Sequence, residues 1–149
     1  MSGQREIVIG KPDDMHLHFR QGGRMKSVVP MTARQFGRAI VMPNTAPYIR
    51  TVDEAAFYRD MIMEAVPAGV KFTPLMTLYL QTTMSPDTIR KAKRSGFIHG
   101  IKMYPAGATT NSQGGVVKMQ DVEEQLRVME EVDMPLLIHG ESANPDDDV

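Results

Sequence analysis

The sequence predicts an α/β fold in which helices cover a parallel sheet, and three observations support that class. Short apolar runs rich in β-branched residues alternate with segments whose apolar residues recur at three and four. Strand candidates starting at Asp14, Ala39, Lys71, Ile98 and Pro135 lie 25, 32, 27 and 37 residues apart, close to one βα unit each. Neither GxGxxG nor GxxxxGK[ST] occurs, so the nucleotide-binding forms of the open sheet lose support. An open doubly wound sheet and a barrel both remain. At 149 residues the chain allows one domain, or part of a larger one, rather than two.

The first strand candidate is Arg5 to Gly10 with Asp14 to Phe19, and the second is Ala39 to Met42. Val52 to Val66 reads as a helix: Val52, Ala55, Tyr58, Ile62 and Ala65 step by three or four, and Thr51 with Glu54 makes a capping box. Lys71 to Tyr79 is the third strand. A helix then starts near Pro86, with Ser85 as N-cap and the proline where a missing N–H is tolerated, and Gly96 stops it. Ile98 to Tyr104 is the fourth strand. The last helix runs from Val122 to about Val132, with Asp121 and Glu124 in capping spacing and Val122, Leu126 and Met129 on one face. Pro135 to His139 is the fifth strand, and Asn144 to Val149 is a polar end expected to fray.

Seventeen Lys and Arg against 18 Asp and Glu leave a formal charge of −1, so no strong field favours nucleic acid or an anionic membrane. Cysteine is absent, which removes disulfides, thiolate zinc sites, iron–sulfur clusters and a cysteine nucleophile. A metal must then be held by histidine, carboxylate or a less usual ligand. At 42% apolar and 23% charged residues the chain can bury a core, and thirteen Met with no Trp make its filling adaptable. Met1 to Gly10 has no apolar stretch of signal-peptide length and no run of about 18 apolar residues occurs, so the expectation is a soluble cytoplasmic protein.

Asp14-Met15-His16-Leu17-His18-Phe19-Arg20 is the most informative stretch. Strand alternation places His16, His18 and Arg20 on one side and Leu17 and Phe19 on the other. Two imidazoles at this spacing can converge on one zinc ion, and a guanidinium beside them can hold a carboxylate. HxH alone is weak, since about one sequence in ten of this composition carries it by chance. In Gly100-Ile101-Lys102-Met103-Tyr104 a lysine stands inside an apolar strand. Its stem can pack while its head reaches water; alternatively, desolvation lowers its pKa and the neutral amine captures CO2 as a metal-bridging carbamate. Pro135 to Gly140 ends a buried-strand pattern on His139, and Met42-Pro43-Asn44-Thr45 ends another on an amide that is either a turn residue or a rim group. In a barrel these strand ends share one rim. His99, beside Arg90, Lys91, Lys93 and Arg94, reads as solvated surface, and Pro105 to Gly115 is either a lid or an ordinary loop.

Taken together, DMHLHFR (14–20), MPNT (42–45), GIKMYP (100–105) with its AGATTNS continuation, and PLLIHGE (135–141) closely resemble dihydroorotase of the shorter, bacterial-type class, in the amidohydrolase superfamily of metal-dependent (β/α)8 barrels. The resemblance covers essentially the whole chain in the family's order. It implies about five βα units of an incomplete barrel, residues 1–149 being the N-terminal part of a single hydrolase domain. It also implies His16 and His18 as ligands of one zinc, His139 as a ligand of a second, and Lys102 as the carboxylated bridge. Arg20 and Asn44 match the pair that holds the substrate carboxylate, and Thr109 and Thr110 match the substrate-covering loop. The implied reaction is the reversible ring closure of N-carbamoyl-L-aspartate to L-dihydroorotate in pyrimidine synthesis, in a protein that is a homodimer when full length. The family's further histidine ligand and its general acid/base aspartate are expected beyond Val149, so the isolated chain is expected to be inactive. The competing expectations are another cyclic-amide hydrolase of hydantoinase type, or a silent fragment acting as an assembly partner.

Overall fold

The computed structural model describes residues 6–141. The elements are β1 (Asp13–Leu17), α1 (Gly22–Gln35), β2 (Arg38–Val41), α2 (Val52–Ala65), β3 (Thr73–Tyr79), α3 (Pro86–Ser95), β4 (Ile98–Met103), a 3-10 turn (Met119–Val122), α4 (Glu123–Glu131) and β5 (Leu136–Ile138). The strands pair in parallel in the order β1-β2-β3-β4-β5, so sequence neighbours are spatial neighbours and each crossover carries a helix. Five parallel strands joined by four helical crossovers thus make a half-barrel, the parallel α/β class expected from the alternation and the incomplete barrel implied by the resemblance.

Local chemistry explains the well-predicted elements. Thr51 accepts the Glu54 N–H while the Glu54 carboxylate returns to the Thr51 N–H, a complete capping box at the start of α2. Ser85 accepts the Thr88 N–H ahead of Pro86, and Gly96 ends α3 at φ +73°, where a side chain would be strained. The core lies between sheet and helices: Phe19, Ala39, Val41, Leu78 and Ile101 from the strand side meet Met25, Val29, Ile62 and Ile89 from the helices.

Four expectations need correction. Residues 6–10 form no strand, and Ile7, Val8 and Ile9 lie exposed; Arg5 falls outside the described residues, as does the expected polar end at 144–149. Helix α1 was not foreseen, because Gly22 and Gly23 open it, no side chain caps it and Pro30 lies within it. Its apolar stripe of Met25, Val29, Thr32 and Ala33 is buried, and that packing overrides the poor propensity. Asp121 does not cap α4: it lies in the 3-10 turn, and Val122 occupies the N-cap without a side-chain bond. Finally, β1 stops at Leu17 rather than Phe19.

Parallel register brings the strand ends together. Leu17 stands beside Val41, Tyr79 beside Lys102, and Met103 beside Ile138. The His139 N–H donates to the Met103 carbonyl and the Met42 N–H to the Leu17 carbonyl, so the residues that follow each strand leave at a common rim.

Candidate functional site

The rim collects His16 and His18 from β1 and its continuation, Asn44 after β2, Tyr79 at the end of β3, Lys102 and Tyr104 at the end of β4, and His139 after β5. The two imidazoles face each other, Nε2 to Nε2, at 3.1 Å. Two nitrogens bound to one tetrahedral zinc at ordinary lengths stand roughly 3.3 Å apart, so the pair is spaced for a shared ion. Burial, with the charges of Lys102 and His139, holds His16 below the ordinary imidazole value, Asp14 opposing. Burial, Arg20 and His16 do the same for His18, and an amide contact from Asn44 opposes them. Both shifts favour the neutral form that binds metal.

Lys102 lies in a strand between Ile101 and Met103, which pack into the core, so its own side chain takes the opposite face. At 2% exposure the head does not reach water, which removes the snorkelling alternative. Nζ sits 5.3 Å from the centre of the Tyr104 ring, and burial pushes its pKa down. His139 Nε2 lies 3.1 Å from a Glu141 carboxylate oxygen without hydrogen-bond geometry, so the two are neighbours and not a bonded pair. Three buried side-chain atoms lack a hydrogen-bond partner among the described residues: Asn44 Oδ1, Tyr104 Oη and His139 Nε2. All three belong to this rim. Buried polar atoms are normally satisfied, so their grouping marks a place built for something else. Among the described residues no three His, Cys, Asp or Glu side chains converge as a metal cluster; the donor set on the rim is three imidazoles, which suit zinc, and a buried amine that would become an anionic ligand on capturing CO2.

Strand alternation does not place Arg20, because β1 has ended and Arg20 takes φ +61°. This left-handed turn is held by the Tyr58 hydroxyl, which donates to the Arg20 carbonyl at 2.5 Å. The Arg20 charge is felt at His18, Tyr58 and Tyr104, which locates the guanidinium near the rim. Removing the hydroxyl in Tyr58→Phe should lower stability by about 1–1.5 kcal/mol, read as a lower urea midpoint; an unchanged midpoint would show that the turn holds itself.

Asn44 is 3% exposed, and its Nδ2 donates to the Thr110 carbonyl at 2.9 Å, while Asn111 Nδ2 donates back to the Asn44 carbonyl at 3.1 Å. The segment from Pro105 to Gly115 is therefore tied to the rim. Gln81 reaches the Gly114 carbonyl, and the Gly114 N–H donates to the Tyr48 hydroxyl. Thr110 is exposed at its tip and Thr109 half-buried. His99 is exposed, and its basic neighbours are surface ion pairs, Arg90 with Glu131 and Lys91 with Asp87.

The aromatic wall was not read from the sequence. Tyr48, Tyr79 and Tyr104 stack in succession at 4.4 and 4.9 Å, and Tyr104 lies 5.8 Å from the His139 ring. A signal existed: Tyr79 closes its strand candidate and Tyr104 follows the lysine strand, as His139 closes its own.

No family model matches the chain. It is 54% identical over 143 residues to a dihydroorotase of Ralstonia pickettii, which covers 96% of this chain and 42% of that protein. It is 53% identical over 145 residues to one of Microcystis aeruginosa, covering 97% and 42%. Among solved structures, a dihydroorotase of Campylobacter jejuni superposes with TM-score 0.82 at 38% identity over 90% of this chain and 39% of that one. One of Saccharomyces cerevisiae, in complex with 5-fluoroorotic acid, gives 0.84 at 34% identity over 94% and 38%. The chain thus spans about two fifths of the length of the curated relatives it matches.

Proposed function

Because this chain is homologous to dihydroorotases over nearly its whole length, we propose that residues 1–149 belong to a single metal-dependent barrel domain that interconverts L-dihydroorotate and N-carbamoyl-L-aspartate. The observation that carries the reading is the pairing, on one rim, of two imidazole nitrogens 3.1 Å apart with a buried lysine that has no anionic partner among the described residues. His16 and His18 would hold one zinc, His139 would join a second, and Lys102 would bridge them as a carbamate. Bound zinc supplies Lewis-acid polarisation of the ring amide carbonyl and water of lowered pKa.

The protein's own residues supply selection and exclusion. Arg20 pairs with the substrate carboxylate, so a charged cyclic amide is preferred over a neutral one. Asn44 adds an amide beside His18. The tyrosine wall and the tied 105–115 segment, with Thr109 and Thr110 over the substrate, keep water from one side of the rim, where electrostatic contacts strengthen. Burial pushes the Lys102 amine below its ordinary value, which favours the neutral form that reacts with CO2.

Native mass spectrometry of the chain with zinc and bicarbonate tests the reading, beside calorimetry with dihydroorotate and with uncharged dihydrouracil. The expected result is zinc with one CO2 per chain and a preference for dihydroorotate of about tenfold or more. Equal affinity for both amides would favour a hydantoinase-type hydrolase instead, and zinc without CO2 would remove the bridge assigned to Lys102.

A further inference from the structure

We propose that Tyr104 is a ligand-binding residue of this site, its hydroxyl donating a hydrogen bond to an anionic carboxylate-type oxygen brought to the rim. The inference rests on the dihydroorotase reading and adds a residue to it.

The four tyrosines make the contrast. Tyr58 donates to the Arg20 carbonyl, Tyr79 to the Asn111 carbonyl at 3.4 Å, and Tyr48 accepts the Gly114 N–H at 3.3 Å. Tyr104 is fully buried, and its hydroxyl has no partner among the described residues. A buried phenol normally finds one.

Nor can Tyr104 turn to seek a partner. Its carbonyl accepts the Val116 N–H at 2.8 Å, its side chain is fully buried, and its ring stacks on Tyr79. The basic groups nearest it do not answer the need, because Lys102 Nζ stands over the ring, the hydroxyl makes no bond to it, and the Arg20 guanidinium offers no acceptor. An amine, a guanidinium and a free hydroxyl donor make a setting that lacks one component, an anionic oxygen.

Two sources share that chemistry. One is the carboxylate of the substrate. The other is a carbamate on Lys102: the Nζ lone pair adds to the carbon of CO2, one C=O electron pair moves onto oxygen, and one amine proton leaves to solvent.

Tyr104→Phe keeps the ring and its stack and removes only the donor. Wild type and variant are compared with zinc and 13C-bicarbonate by NMR, and with dihydroorotate and dihydrouracil by calorimetry. Loss of a hydrogen bond to a charged group should appear as about a tenfold drop in one of two quantities. A drop in the carbamate signal names Lys102 as the source; a drop in dihydroorotate affinity, with dihydrouracil unaffected, names the substrate. In wild type labelled at tyrosine Cζ, the Tyr104 resonance should shift when that acceptor is added, a readout independent of whether the variant folds. A Cζ resonance unmoved by either addition overturns the proposal, as do equal values for the two proteins in both assays. The dihydroorotase reading fails on a different result, wild type binding dihydrouracil as tightly as dihydroorotate.

Discussion

A Lys102→Met chain is expected to be more stable than wild type by about 1–3 kcal/mol and to take up no bridging CO2 and less zinc. The native fold keeps this amine at 2% exposure without an anionic partner among the described residues, whereas methionine fills a similar volume with no charge to desolvate. A site residue that costs stability when empty and is needed when loaded should separate the two readouts. Lys102→Ala should lose zinc as well, but the cavity it leaves would mask the gain.

The pH dependence follows from the sign of the shift. Burial lowers the native pKa of Lys102 below its unfolded value of 10.5, so between the two values the unfolded chain binds more protons than the native one. Stability then rises with pH through that window, and the full cost is present below the native value. Urea denaturation of metal-free protein from neutral pH to about 10.4 should show this slope in wild type and a weaker one in Lys102→Met. Parallel curves would mean that the native fold does not depress this amine, and the lysine would lose its special standing.

Gly115→Ala is expected to be the most damaging glycine-to-alanine change among the described residues. An added Cβ would stand 2.4 Å from the Tyr104 carbonyl oxygen, 2.9 Å from that of Ser112 and 3.1 Å from the Ala106 nitrogen. All three are backbone atoms, so no rotamer change relieves the clash, and the bond between Val116 N–H and the Tyr104 carbonyl has to open. A cost of about 1–3 kcal/mol should lower the melting temperature by roughly 2–4 °C per kcal/mol, with altered tyrosine fluorescence as the stack shifts. Gly114→Ala is the control: its Cβ would meet the ends of Tyr48 and Gln81, side chains that can move, so its effect should be smaller. Equal melting temperatures for both variants would show that the segment is looser than its hydrogen bonds imply.

Much of the architecture was determined by the sequence alone. The βα alternation, the capping box at Thr51, the Ser85-Pro86 start and the Gly96 stop all act within a few residues, where local chemistry is sufficient. The residues marked for chemistry, His16, His18, Asn44, Lys102 and His139, were equally visible, because a polar group at the end of an apolar strand stands out. Tertiary structure decided the rest. Helix α1 forms in spite of Pro30 and its two glycines because burial of Met25 and Val29 outweighs propensity. Arg20 reaches the rim through a left-handed turn held by a tyrosine 38 residues away. The stack of Tyr48, Tyr79 and Tyr104, and the solitary hydroxyl of Tyr104, exist only after parallel register has brought separate strand ends side by side. Such contacts join residues tens of positions apart, and no local pattern encodes which of them will meet.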